Sequence, residues 1–174
     1  SKGAIEEVLE IEKEAGIQVH ISHIKSSGQV AWGKSSNIID ILDEARKNGS
    51  SIDANVYPYT ASANGLRNMI PVWARKDGTA AMLKNFEDHA ALVKIKAAVA
   101  RGLKSSGGGA GKLLATRNSA TRAELNGKTI EDLAKTWGVP EEDAVIKALT
   151  MNPTVTAISF GMNEDDVINF IKQP

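Results

Sequence analysis

The chain has 174 residues with 21 basic and 21 acidic side chains, so its formal net charge is zero. This balance, and the lack of a basic stripe, argues against nucleic acid as a partner. No apolar run reaches the roughly 18 residues that a membrane span needs. The absence of cysteine and of a secretory signal favours a cytoplasmic location.

The first third of the chain predicts alternating helices and strands. Residues 4–15 place apolar side chains on one helical face, and residues 17–23 favour a strand. Ser35 or Ser36 is expected to cap a second helix, and residues 52–57 form the second predicted strand. Helix, strand, helix and strand at this spacing predict a right-handed βαβ arrangement with parallel strands.

The alternation of predicted helices and strands changes after residue 63. We therefore divide the chain into β/α units at 1–63, an inserted and mostly helical, lid-like region at 64–152, and a closing strand and helix at 153–174. The elements predicted after residue 63 are helices at 87–103, 129–136 (capped by Thr129 with Asp132) and 141–149, strands at 112–117 and 154–160, and a last helix capped by Asn163.

Polar side chains lie at the ends of both predicted strands. His23 is a candidate metal ligand, and Lys25 beside it suits an anionic substrate. Because the carboxyl ends of parallel strands meet at one edge of a sheet, Tyr57 is expected near His23 and Lys25 at this edge, the rim of the sheet. Structural roles stay open for all three: a histidine bound to a carbonyl, a solvated lysine and an aromatic ring packed at a turn. His20, on the other strand face, is expected to pack structurally.

Several segments together resemble the N-acyl-D-amino-acid deacylase (D-aminoacylase) family. The most specific are Val19-His20-Ile21-Ser22-His23-Ile24-Lys25, Trp32-Gly33-Lys34-Ser35 and Ala54-Asn55-Val56-Tyr57-Pro58-Tyr59-Thr60-Ala61-Ser62. Similar segments at 125–130 and 158–164 extend the resemblance over nearly the whole chain.

The resemblance implies a metal-dependent amidohydrolase, usually with zinc, built on a (β/α)8 barrel. Such an enzyme hydrolyses N-acyl-D-amino acids to a D-amino acid and a carboxylate. By this resemblance His23 is a metal ligand, and Lys25 and Tyr57 bind the carboxylate of the D-amino acid. The family often has a serine soon after this tyrosine. Ala63 holds the matching position here, and the neighbouring Ser62 is the candidate for that contact.

Parts of the family's active site are not in this sequence. A barrel takes roughly 250 residues, and neither the His-x-His pair nor the bridging cysteine is present. The catalytic aspartate is expected beyond Pro174. The chain is therefore expected to be an internal fragment, a partial α/β barrel without a catalytic residue of its own. We expect it to be inactive alone, to bind zinc weakly or not at all, and to self-associate through exposed strand edges.

Two other functions remain open. The chain could be a binding or interaction module in which Lys25 and Tyr57 hold a small carboxylate without metal. It could also come from a related amidohydrolase that acts on a cyclic amide. An upstream His-x-His and a downstream Gly-Ser-Asp-like motif in the reading frame would indicate the enzyme.

Overall fold

A computed structural model describes residues 2–106, 109–116 and 123–174. They form two compact units. The first contains the residues up to Thr60 together with Met162–Pro174, and the second is Ala61–Gly161. The division at residues 63 and 152 into β/α units, an insertion and a closing segment stays a prediction. The strand that follows residue 152 pairs with residues 62–65, within the second unit.

The described residues contain eight α-helices and six strands. The helices are α1 (Lys2–Ala15), α2 (Ser35–Lys47), α3 (Val72–Arg75), α4 (Thr79–Glu87), α5 (His89–Ser105), α6 (Ile130–Trp137), α7 (Glu141–Met151) and α8 (Glu164–Ile171). The strands are β1 (Val19–Ile21), β2 (Ile52–Ala54), β3 (Ser62–Gly65), β4 (Leu113–Thr116), β5 (Lys128–Thr129) and β6 (Thr156–Ser159).

The first unit contains a parallel pair of strands, as the βαβ pattern predicts. β1 and β2 align in register, with Val19 opposite Ile52 and Ile21 opposite Ala54. These apolar side chains face the helices, since side chains alternate along a strand. The core under the sheet is formed by buried residues of α1, α2, β2, α8 and the segment after β1, namely Ile5, Ile24, Ile38, Leu42, Ile52 and Phe170. Both strands are shorter than predicted, because the parallel hydrogen-bonded pairing of β1 with β2 ends at Ile21 and Ala54.

The start of α2 differs from the prediction. Neither Ser35 nor Ser36 is its cap, since both lie inside the helix and their hydroxyls accept hydrogen bonds from the Asn169 amide at 3.0 and 3.2 Å. The Asp166 carboxylate of α8 takes over instead, accepting the N–H groups of Gly33 at 2.8 Å and of Ser35 at 3.0 Å. A carboxylate at a helix N-terminus satisfies free N–H groups and complements the helix dipole.

The second unit combines helices with an antiparallel sheet in the order β3-β6-β4-β5. The helices that the sequence placed at 87–103, 129–136 and 141–149 are confirmed as α5, α6 and α7. β3, α3 and α4 were not predicted. Residue 117 of the predicted strand at 112–117 lies outside the described residues. The core is shared by the helices and the sheet, and its fully buried members include Leu66, Ile70, Ile95, Val99, Val145, Leu149 and Val155.

Two helix starts follow local sequence signals. Thr129 caps α6 in a capping box with Asp132, and Asn163 caps α8 by accepting the N–H groups of Asp165 and Asp166. Both caps are confirmed as predicted. Along the part of the chain that the structure describes, no helix combines the length and apolar content that crossing a bilayer requires.

Asp166 makes the stability of the first unit depend on pH. Its side chain is buried at 2% exposure. Burial acts to raise the pKa of Asp166, but hydrogen bonds from the hydroxyl and N–H of Ser35 and from the N–H of Gly33 outweigh it and hold that pKa below its ordinary value. The ionised carboxylate therefore stabilises the fold. This contribution is complete above the unfolded pKa of about 4 and is lost as the pH falls through the folded pKa.

We predict that Asp166→Ala lowers the free energy of unfolding by about 1–3 kcal/mol at pH 7, because two N–H groups lose their acceptor. Asp166→Asn should flatten the dependence of the urea midpoint on pH between about pH 5 and pH 2. The midpoint is read from the amide signals of α2. Asp165→Asn, one position away in the same helix turn, is the control and should behave as the wild type. An unchanged pH dependence in Asp166→Asn would contradict the assignment.

Candidate functional site

His23 lies in a turn just after β1, not in the strand itself. Its φ angle is 45°, a conformation that non-glycine residues seldom adopt. The side-chain oxygen of Asn55 accepts the His23 N–H, and Ile24 donates its own N–H to the Asn55 carbonyl at 2.8 Å. The imidazole is exposed at the carboxyl end of the parallel strands.

Lys25 turns back over His23. Its Nζ lies 2.6 Å from the His23 carbonyl oxygen, 2.9 Å from the ring Nδ1 of His23 and 5.5 Å from the centre of the Tyr57 ring. The side chain is half-buried, and burial lowers the pKa of the Lys25 ammonium from its ordinary value. A backbone carbonyl and a ring nitrogen hold this ammonium, and neither group carries a negative charge.

Tyr57 completes the group at this rim. Its ring centre lies 6.4 Å from that of His23 and 6.3 Å from that of Tyr59. Its hydroxyl donates to the Met162 sulfur at 3.9 Å, and a thioether is a weak acceptor. The prediction that the two strand ends bring His23, Lys25 and Tyr57 together is confirmed by these distances.

The sequence predicts structural packing for His20, but its side chain lies at the surface. Its side chain is 48% exposed and pairs through Nδ1 with the Asp53 carboxylate, its register partner on β2. Among the described residues of the first unit, the helices pack on the face of the sheet that carries Val19 and Ile21, and His20 lies on the other face. An exposed pair of this kind adds at most about 1 kcal/mol to stability.

Ser62 lies in the second unit, where it begins β3 opposite Ser159 of β6. Its predicted contact with a substrate carboxylate is not tested by the geometry of the first unit and stays a prediction. The residues that the structure brings together are therefore His23, Lys25 and Tyr57 within the first unit.

The described residues do not form a complete zinc site. Catalytic zinc is generally held by three protein ligands. Within residues 2–106, 109–116 and 123–174, no group of three histidine, cysteine, aspartate or glutamate side chains is placed to hold a metal. His23 could supply one ligand.

Solved structures match almost the whole chain. An N-acyl-D-glutamate deacylase from Bordetella bronchiseptica, in complex with zinc and a phosphonate inhibitor, superposes with a TM-score of 0.66 at 23% identity. The match covers 99% of this chain and 28% of that protein. A D-aminoacylase, described as defining a novel subset of amidohydrolases, gives 0.64 at 24% identity over 97% of this chain and 27% of its own length. At these identities the likeness concerns the fold.

A curated relative adds sequence similarity. An N-acyl-D-glutamate deacylase from Alcaligenes xylosoxydans xylosoxydans is 32% identical over 62 residues, which cover 36% of this chain and 13% of that protein. The chain is similar to the N-acyl-D-amino-acid deacylases. The family resemblance seen in the sequence is thereby confirmed, and the chain spans less than a third of the length of these deacylase relatives. No family model matches it.

Several residues of the rim were not singled out from the sequence. Asn55 lies within one of the family-like segments, and only the structure shows that its side chain accepts the His23 N–H. Met162 gives no local signal, since it reaches Tyr57 from a distant part of the chain. Ser26 follows Lys25 with its hydroxyl buried and without a hydrogen-bond partner among the described residues. The sequence does not reveal this, because burial there depends on the fold.

Proposed function

We propose that the chain forms part of the catalytic face of a metal-dependent deacylase that hydrolyses the N-acyl amide of N-acyl-D-amino acids. The observation that carries the proposal is the Lys25 ammonium between the His23 ring and the Tyr57 ring. The similarity to deacylases whose structures match nearly all of this chain supports it. In this proposal β1 and β2 are two strands of a (β/α)8 barrel, and the second unit is an insertion into it.

The role of Lys25 and Tyr57 is to bind and orient the substrate carboxylate. A carboxylate is a stronger acceptor for the half-buried ammonium than the carbonyl and imidazole that it contacts in this structure. It is also a stronger acceptor for the Tyr57 hydroxyl than the Met162 sulfur. Exchange of these weak partners for a carboxylate would hold the D-amino acid end in place, which is a positioning contribution to catalysis.

The role of His23 is to supply a single imidazole ligand to zinc. The zinc named for the Bordetella bronchiseptica deacylase supports a metal in the intact enzyme. Because this chain's described residues offer no second and third ligand beside His23, we propose that it is inactive and holds zinc only weakly by itself.

Replacement of Lys25 tests carboxylate binding. We predict that Lys25→Met weakens the affinity of the full chain for N-acetyl-D-glutamate by about 10- to 100-fold, the usual cost of losing a hydrogen bond to a charged group. Chemical shifts of residues 23–25 and 57 during a titration give the dissociation constants. Lys34→Met, at an exposed lysine before α2, is the matched control and should bind as the wild type. Equal affinities for Lys25→Met and the wild type would refute the proposed role.

Zinc titration tests the metal proposal. We predict that the purified chain and its His23→Ala variant both retain well under one equivalent of zinc after gel filtration. Elemental analysis of both proteins gives the ratio. A stoichiometric zinc ion that is lost in His23→Ala would show that this chain completes a site by itself.

The open edges of the parallel strands support a further partner, a second copy of this chain. Among the described residues β1 and β2 pair only with each other, so each presents an outer edge. We predict a mass of at least two chains by light scattering at high protein concentration, falling on dilution. A constant monomer mass over a tenfold dilution (about 10 to 100 µM, where weak edge pairing is populated) would exclude this association.

A further inference from the structure

The backbone of His23 carries a conformational cost. Among the described residues it is the one non-glycine position with a positive φ, whereas the other positive φ angles belong to glycines. The left-handed region is unfavourable for residues with a Cβ atom, and such a conformation persists only where neighbouring contacts impose it.

Asn55 supplies those contacts from the neighbouring strand end. Its side-chain oxygen accepts the His23 N–H. Its backbone N–H donates to the Ile21 carbonyl at 3.1 Å, and its carbonyl accepts the Ile24 N–H at 2.8 Å. One residue therefore binds the chain before, at and after the left-handed position. Parallel pairing of β1 with β2 places Asn55 where it can do so.

We infer that Asn55 is a positioning residue that keeps His23 in the left-handed conformation and so sets the direction of its imidazole. The Lys25 ammonium depends on the same turn, because it is bound to the His23 carbonyl at 2.6 Å. Release of the turn would move the imidazole and the ammonium together. The role of the oriented imidazole as a zinc ligand rests on the proposed function. The contact by which Asn55 fixes the His23 backbone does not depend on that function.

A simpler role for Asn55 would be to satisfy an N–H group without any effect on φ. The two roles differ in their dependence on the residue at position 23. Glycine adopts positive φ at little cost, whereas alanine has a Cβ atom and is disfavoured there as histidine is, although like glycine it has no imidazole. Without Asn55, histidine or alanine at position 23 can leave the left-handed region and recover its cost, whereas glycine has no such cost to recover. Only the positioning role therefore makes the loss of Asn55 more destabilising when residue 23 is glycine.

The test is Asn55→Ala in three backgrounds of the full chain: wild type, His23→Ala and His23→Gly. Urea unfolding is followed by the amide signals of the first unit. We expect the unfolding constant to rise by on the order of tenfold more in His23→Gly than in the first two backgrounds, because only histidine and alanine recover the cost of the left-handed region when Asn55 is removed. An equal rise in all three backgrounds would overturn the inference.

A conservative variant and an NMR measurement complement this comparison of backgrounds, which is a double-mutant cycle. Asn55→Asp keeps an acceptor oxygen, so the ¹³Cα and ¹³Cβ shifts of His23 should stay at their wild-type values there and move in Asn55→Ala. If Asn55→Ala does not fold, exchange of the His23 amide is compared in Asn55→Asp and Asn55→Ser, and we expect it to be on the order of tenfold faster in the latter. Equal shifts or equal exchange rates would count against the positioning role.

The failure of this inference is separable from that of the proposed function. None of these measurements uses substrate or metal, so they judge only whether Asn55 holds His23. Wild-type carboxylate affinity in Lys25→Met would refute the proposed function. It would not affect the comparison of Asn55→Ala in the three backgrounds. Additive effects in the cycle would remove the positioning role and leave the carboxylate proposal standing.

Discussion

The first unit depends on one buried carboxylate. Asp166 binds the N–H groups of Gly33 and Ser35, more than 130 residues earlier in the sequence. Without this contact the start of α2 would leave unsatisfied N–H groups, because no side chain of its own segment caps it. The same carboxylate fixes α8 against α2, and Phe170 of α8 then closes the core beneath the sheet. The sheet that carries the rim is thus supported by helices from both ends of the chain.

The rim above that sheet is organised by hydrogen bonds between short polar segments. β1 and β2 have only three residues each, so the ladder ends early and side chains take over its role. Asn55 continues the pairing past the strands and holds His23, while Lys25 folds back onto His23. A left-handed residue held from both sides by side chains is the kind of local cost that functional sites carry. The Lys25 ammonium there is held by a backbone carbonyl and a ring nitrogen.

How far the sequence predicts this molecule depends on the range of the interactions. The caps at Thr129 and Asn163 are local, so three or four residues suffice to read them. The parallel pair, and with it the meeting of His23 and Tyr57, follows from periodicity and the handedness of βαβ connections. The cap of α2 could not be read, because a distant carboxylate displaces the local serines. β3 was missed because Ser-Ala-Asn-Gly has weak strand propensity and pairs with β6, about 95 residues later.

The chain leaves the first unit at Thr60 and re-enters it at Met162, and these two residues are hydrogen-bonded to each other at 3.1 Å. Just inside the crossings, Ser62 pairs with Ser159. Once β3 and β6 have joined, the ends of a hundred-residue excursion are already neighbours. The closure entropy for docking α8 then falls to that of a short loop, a saving of about 3 kcal/mol. The connectivity therefore favours a folding order in which residues 61–161 condense before the early and late segments of the chain meet.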